Sequence, residues 1–164
     1  MMDAETTAQV LELVQRVRIA ALGTLHQGAP RVSSVPFAVV VDPFSFLVHI
    51  SRLALHTQDI LEDPRVGFMV AEPDSPARNP QAIARLSVQG VATRIANDDE
   101  AHDACRELFL GRFPQSAINF GLGDFALFRI VPRSGRFIAG FGRIHDVRAD
   151  DFARHSPPYG RESP

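Results

Sequence analysis

Short β-rich runs follow one another along this chain with turn signals between them and little helix in the gaps, a pattern that leaves few folds open. IAALGTLH, the glycine-containing turn QGAP and RVSSVPFAVVV read as two antiparallel strands of a hairpin. After Asp42 and Pro43 come FSFLVHI, then RVGFMVAE and ARLSVQGVATRI, and finally DFALFRIVP and GRFIAGFG around a turn at PRSG. Such a succession does not build the repeated βαβ unit of a parallel sheet, so a closed or partly closed antiparallel barrel is expected. Pro36 cannot donate to a ladder, which puts its strand at an edge or gives it a bulge. Gly90 marks a further bulge or close backbone approach.

Three helices are predicted around these strands. The first, capped by Thr6 or Thr7, presents Val10, Leu11, Val14 and Val17 at helical spacing and covers a face of the sheet. The second, LALHTQDILED, ends at Pro64. The third, DDEAHDACRELFLGRF, takes Asp98 as its cap and carries the only cysteine, Cys105, as a buried structural thiol. One cysteine excludes an internal disulfide framework and fits a reducing, cytoplasmic setting. No run approaches the ~20 apolar residues of a membrane span, and the amino terminus lacks the basic start and apolar run of a secretory signal. With 45% apolar residues, 164 residues suffice for one domain, expected over 1–148, followed by a polar, flexible tail over 149–164. A net charge of −2 offers no broad cationic face to nucleic acid.

The segment ISRLALHTQDILEDPRV, Ile50 to Val66, carries the most chemical information. A strand ends at Ser51 and a helix opens behind it, so unpaired backbone amides face an anion there. Ser51 and Thr57 add hydroxyl donors, and His56 adds an imidazole that a phosphate would help to protonate. The plainer reading of the same residues is a capped helix with a surface histidine. Arg31 and Arg85 each begin a strand-like run and alternate with Val32 and Leu86, which directs both guanidinium groups off the core face. If the two strands flank the helix opening, both can grip one phosphate or propionate.

PRVSSVPF, ISRLALHTQDILEDPRV and ARLSVQG resemble, in order and spacing, the flavin-binding half of pyridoxamine-phosphate-oxidase-like proteins, and the likeness runs from about Ala21 to Gly142. The resemblance implies a mainly β (α+β) fold, a six- to seven-stranded antiparallel FMN-binding split barrel with peripheral helices. It also implies a homodimer with the cofactor cleft at the interface, and a small-molecule substrate for a flavin-dependent oxidoreductase. By position, Arg31, Val35, Pro36, Ser51, His56, Thr57 and Arg85 would contact FMN. This chain departs from the oxidases in several places. Ala54, Leu55 and His56 stand where those enzymes have Ser-Arg-Lys, Arg85 replaces a glutamine, and the tryptophan-containing carboxyl-terminal motif is missing.

The same departures resemble the haem-utilisation (HugZ/HutZ-like) branch, on LALHTQDILEDPRV, RLSVQG, DFALFRIVP and FIAGFG, with Gln58-Asp59-Ile60 in place of a polar residue, Asn and Leu. That branch implies haem as the alternative cofactor, bound or degraded, with an axial histidine near the carboxyl terminus. Asp124 matches the acidic residue that holds the ligand's second nitrogen, and His145 or His155 would be the ligand. His26, His49 and His102 are expected to have local structural roles. A cofactor carrier without turnover is the third reading, since no general base stands out.

Overall fold

The computed structural model describes residues 2–148 together with 150 and 151. Helix α1 (Ala4–Arg16) precedes the hairpin β1 (Ile19–His26) and β2 (Ala29–Pro36), then β3 (Ala38–Val40) and β4 (Ser45–Ser51). Helix α2 (Leu55–Glu62), β5 (Arg65–Ala71) and β6 (Arg85–Ile95) follow, then α3 (His102–Arg112), α4 (Ala117–Phe120), β7 (Phe125–Gly140) and β8 (Arg143–Arg148). One antiparallel sheet has the order β2-β1-β5-β6-β7-β4-β3, with β8 pairing on β7. This is the expected antiparallel split barrel with peripheral helices.

The run RVSSVPFAVVV forms not one strand but two, divided at Phe37. Its first part is one edge of the sheet and its second part the opposite edge, so a single residue of chain carries the seam of the barrel. Pro36 ends β2 at this seam, where it needs no partner for a missing N–H. Phe37 turns inward, fully buried, and meets Phe46 and Phe68 edge-to-face at 5.8 and 5.4 Å between ring centroids.

Two apolar clusters result. The first fills the barrel with Leu22, Phe46, Val48, Phe68, Phe128, Ile130 and Phe137, stoppered by Val10, Leu13 and Val14 of α1. The second lies outside, where Cys105, Phe109 and Phe113 pack on Ala38, Leu47 and Leu127. Alternate residues of β4 therefore serve different cores, and six of its seven residues are buried. Cys105 is a buried free thiol that accepts a hydrogen bond from Arg129, 3.3 Å away.

Several local expectations change. Asp3, not Thr6 or Thr7, caps α1, accepting from the Thr6 amide at 2.7 Å, and both threonines are buried inside the helix. Asp98 is not the cap of α3, which starts at His102 behind Ala101 without a side-chain cap. PRSG is no turn. β7 runs through it for sixteen residues, because β6 and β8 pair along that stretch and hold it extended. The register shift at Gln89/Gly90 leaves the extra residue, Arg133, on β7, while Gly90 is the place of close backbone approach, to the Val131 carbonyl. The second shift, next to Gly140, precedes the tight turn into β8. Asp151, in the stretch expected to be tail, is buried and accepts from the amides of Met2 and Arg148. No helix among the described residues is long and apolar enough to cross a membrane.

Candidate functional site

The end of β4 and the start of α2 do form a strand-to-helix junction, but its hydroxyls are engaged internally. Thr57, fully buried, donates to the Ser51 carbonyl at 2.6 Å. Ser51 donates to Asp124 Oδ2 at 2.7 Å and accepts from the Leu53 amide at 3.1 Å. The Arg52 amide donates to the Asp124 carbonyl at 2.6 Å, so β7 and the helix opening are fastened together. What remains open is His56. Its Nε2 is buried without a hydrogen-bond partner among the described residues. Burial pushes its pKa down against the opposing pull of Asp59, so the ring is neutral near pH 7. Leu53 and Leu55 flank it, both exposed.

Asp59 is the organising group that sequence reasoning passed over as a stand-in for asparagine. It is 1% exposed and accepts from Thr24 Oγ1 at 2.8 Å, from Arg31 Nη1 at 3.2 Å on both oxygens, and meets His26 Nδ1 at 3.1 Å. Burial raises its pKa, but the Thr24 hydrogen bond, the Arg31 charge and His26 outweigh that and hold the carboxyl below its usual range. The expected alternation on β2 is thereby reversed. Arg31 turns in towards Asp59, with its side chain 30% exposed, while Val32 is 73% exposed. The reason is that an edge strand packed under α2 follows the buried carboxylate, which cannot go unpaired.

Val35 is a core residue with its side chain inside the barrel, and Pro36 is exposed at the seam. Arg85 faces Ala71 on one side and Ile138 on the other, and donates to the Ile83 carbonyl at 3.0 Å. The β1–β5 register, with Gly23 opposite Gly67, sets Arg31 five residues of β5 away from that level and three strands across the sheet. Within one chain, then, Arg31, Ser51, His56 and Thr57 gather around α2, whereas Arg85 stands elsewhere. His145 lies on β8 opposite Phe137, twelve residues along β7 from Phe125, the neighbour of Asp124. One chain does not bring His145 to Asp124, and His155 lies outside the described residues.

Near the Arg31 end of the hairpin, the outer face of β2, β1, β5 and β6 forms a groove of about 530 Å³. Gly23 and Gly67, directly opposed, make its floor, and a Cβ at Gly67 would meet no atom within 4 Å. Val32 lines it, with Arg31, Arg65 and Arg133 around it. Arg31 and Arg65 are both tied to carboxylates, Asp59 and Asp63. The volume is that of a small-molecule site. The floor is a flat strip of backbone with apolar walls and cations at its margin, suited to a planar anionic ligand. The signal for it in the sequence was two glycines at matching strand positions, which only the register makes meaningful.

The sheet order and the junction of β4 with α2 define a class by architecture, the antiparallel split barrel with peripheral helices. The chain belongs to the pyridoxamine 5'-phosphate oxidase family, whose model matches residues 6–139. It is 32% identical over 152 residues to the heme oxygenase HutZ of Vibrio cholerae, covering 87% of this chain and 81% of that protein. A structure of HutZ described as a heme storage protein superposes with a TM-score of 0.69, at 29% identity over 77% of this chain and 89% of the other. The fold is also that of a heme binding protein from Mycobacterium smegmatis, with a TM-score of 0.82 at 21% identity. That match covers 94% of this chain but 62% of the longer one.

Proposed function

We propose that this chain is a haem-binding protein of haem utilisation, working as a homodimer with the cofactor in a cleft between the two copies. The observation that carries the reading is its 32% identity to a haem oxygenase over 87% of its length. Side-chain chemistry supports it. The glycine-floored groove and the exposed Leu53 and Leu55 offer apolar area to a macrocycle. His56, with its unfilled nitrogen, and Arg85 would meet propionates from the two copies. Asp124 keeps Oδ1 beside the Ser51 bond to orient an imidazole, and His145 or His155, from either copy, is the candidate ligand. When bound, haem supplies oxygen activation at iron. The buried free thiol of Cys105 is in keeping with a reducing cytoplasm.

A flavin reading draws on the family match. It is weakened at the phosphate seat, where Ala54 and Leu55 bring no cation, Ser51 and Thr57 are hydrogen-bonded within the chain, and Arg31 is neutralised by Asp59. The purified protein, titrated with haemin and with FMN, separates the two. A saturable Soret band that weakens in His145→Ala or in His155→Ala, and shifts in Asp124→Asn, is expected. Tight FMN binding without any Soret band would overturn the haem reading.

A further inference from the structure

The open end of the second core forms a cleft of about 410 Å³. Arg52, Arg94 and Arg106 line it together with His49, His102 and Phe120, and none of its lining residues is acidic. These residues come from separate elements. His49 is on the outward face of β4, Arg94 near the end of β6, His102 and Arg106 on the first turns of α3, and Phe120 on α4. Side chains placed by four elements around one space make a built site rather than a stretch of basic sequence.

His49 points to a ligand independently of the arginines. It is 8% exposed, and its ring lies flat on Phe120, 3.6 Å between centroids and 8° between planes. Its Nδ1 is buried with no hydrogen-bond partner among the described residues. Buried polar atoms in native proteins nearly always have a partner, so one left open at the wall of a cationic cleft marks where an acceptor belongs. Burial first and the nearby His102 second bring the His49 pKa down to about 4, so the ring is neutral and can donate from Nδ1.

The surrounding charges agree. Arg106 lies over the Phe120 ring at 5.4 Å, and Arg52 donates to the Gly123 carbonyl at 2.6 Å, which holds its guanidinium at the rim. α3 opens at His102 with no side-chain cap, so its first amides add partial positive charge. Of the acids nearby, Asp124 lies between the lining residues Gly123 and Phe125 and accepts from Ser51 Oγ at 2.7 Å. Asp103 is 3.6 Å from His102 Nδ1 but 93% exposed, and Asp99 in the preceding loop accepts from the Ala101 amide.

We propose that this cleft binds a compact phosphate-class polyanion, held by Arg94, Arg106 and Arg52 and accepting a hydrogen bond from His49 Nδ1. Guanidinium forks and helix amides match tetrahedral phosphate oxygens better than any uncharged ligand. The cleft adjoins Asp124 through its lining residues Gly123 and Phe125, and the proposal does not depend on the haem reading.

Calorimetric titration of the full chain with pyrophosphate at pH 7 and fixed ionic strength is the test. Saturable one-to-one binding tighter than about 1 mM is expected. The Arg94→Ala/Arg106→Ala variant should bind at least about tenfold more weakly, and His49→Gln should weaken binding to a smaller extent. Arg94 and Arg106 are exposed, so that double variant should unfold at the wild-type temperature and keep its haemin titration unchanged. In the wild type, the imidazole nitrogen resonances of His49 should move on pyrophosphate addition, a response that a diffuse charge effect would not produce. Absence of saturable binding, equal affinity in the double variant, or preference for citrate over pyrophosphate would each overturn the proposal.

Discussion

Asp59 fixes the junction of α2 with the first hairpin by placing one carboxylate under Thr24, His26 and Arg31. Asp59→Asn keeps a Thr24 partner but removes the ion pairing, so the thermal midpoint should fall, and Asp59→Ala should lower it further. The pH dependence has a definite sign. The folded pKa of Asp59 lies below 3.8, so its stabilising effect is complete above that value and is lost as pH falls through the folded pKa. The Asn variant should therefore show a shallower loss of stability below about pH 4 in acid unfolding followed by circular dichroism. His49 acts in a different window. Its pKa drops from 6.5 to about 4 on folding, so the unfolded chain binds the extra proton between those values and stability rises with pH across them. The effect is worth at most about 3 kcal/mol, and His49→Phe should flatten it. At this scale the sequence was least legible. Ser51, His56 and Thr57 all stand at the opening of α2, but the two hydroxyls are engaged by Asp124 and the Ser51 carbonyl, partners 73 and 6 residues away that no local pattern announces. Arg31 was assigned the wrong face because strand alternation does not reveal which side of an edge strand holds a buried acid.

Strands and helices were far easier to read. The alternation in β5 and β6, the hairpin at QGAP and the stop at Pro64 all follow from local propensity, and each element formed where its pattern lay. Two features depended on distant pairing and were missed: the division of the second run at Phe37 and the continuity of β7 through PRSG. The glycines make this distinction testable. A Cβ at Gly90 would stand 2.6 Å from the Val131 carbonyl, and one at Gly135 2.6 Å from the Ser87 carbonyl, both unyielding backbone. Gly90→Ala or Gly135→Ala should cost about 1–3 kcal/mol in denaturant unfolding. Gly67→Ala meets nothing and should change stability by less than about 0.5 kcal/mol. It should nevertheless weaken haemin binding severalfold, because the added methyl rises from the floor of the groove. Equal haemin affinity in that variant would remove the groove from the cofactor site.

At the scale of the whole molecule, Val32, Leu53, Leu55, Leu61 and Phe141 are among the most exposed apolar side chains of the described residues. The proposed homodimer would cover part of that surface. Light scattering should give twice the chain mass, and Val32→Asp, which perturbs no buried contact, should give the monomer. β7 has a consequence of another sort. It is the strand that joins β6 to β4, and so the two halves of the sheet, while contributing Phe128 and Ile130 to one core and Leu127 to the other. On the ribosome the chain emerges from its amino end, so everything as far as Phe120 is made while both of those neighbours still have an open side. The nascent protein must wait, with sticky edges uncovered, for its last quarter to arrive, and its yield in a cell should depend on whatever shields it during that interval.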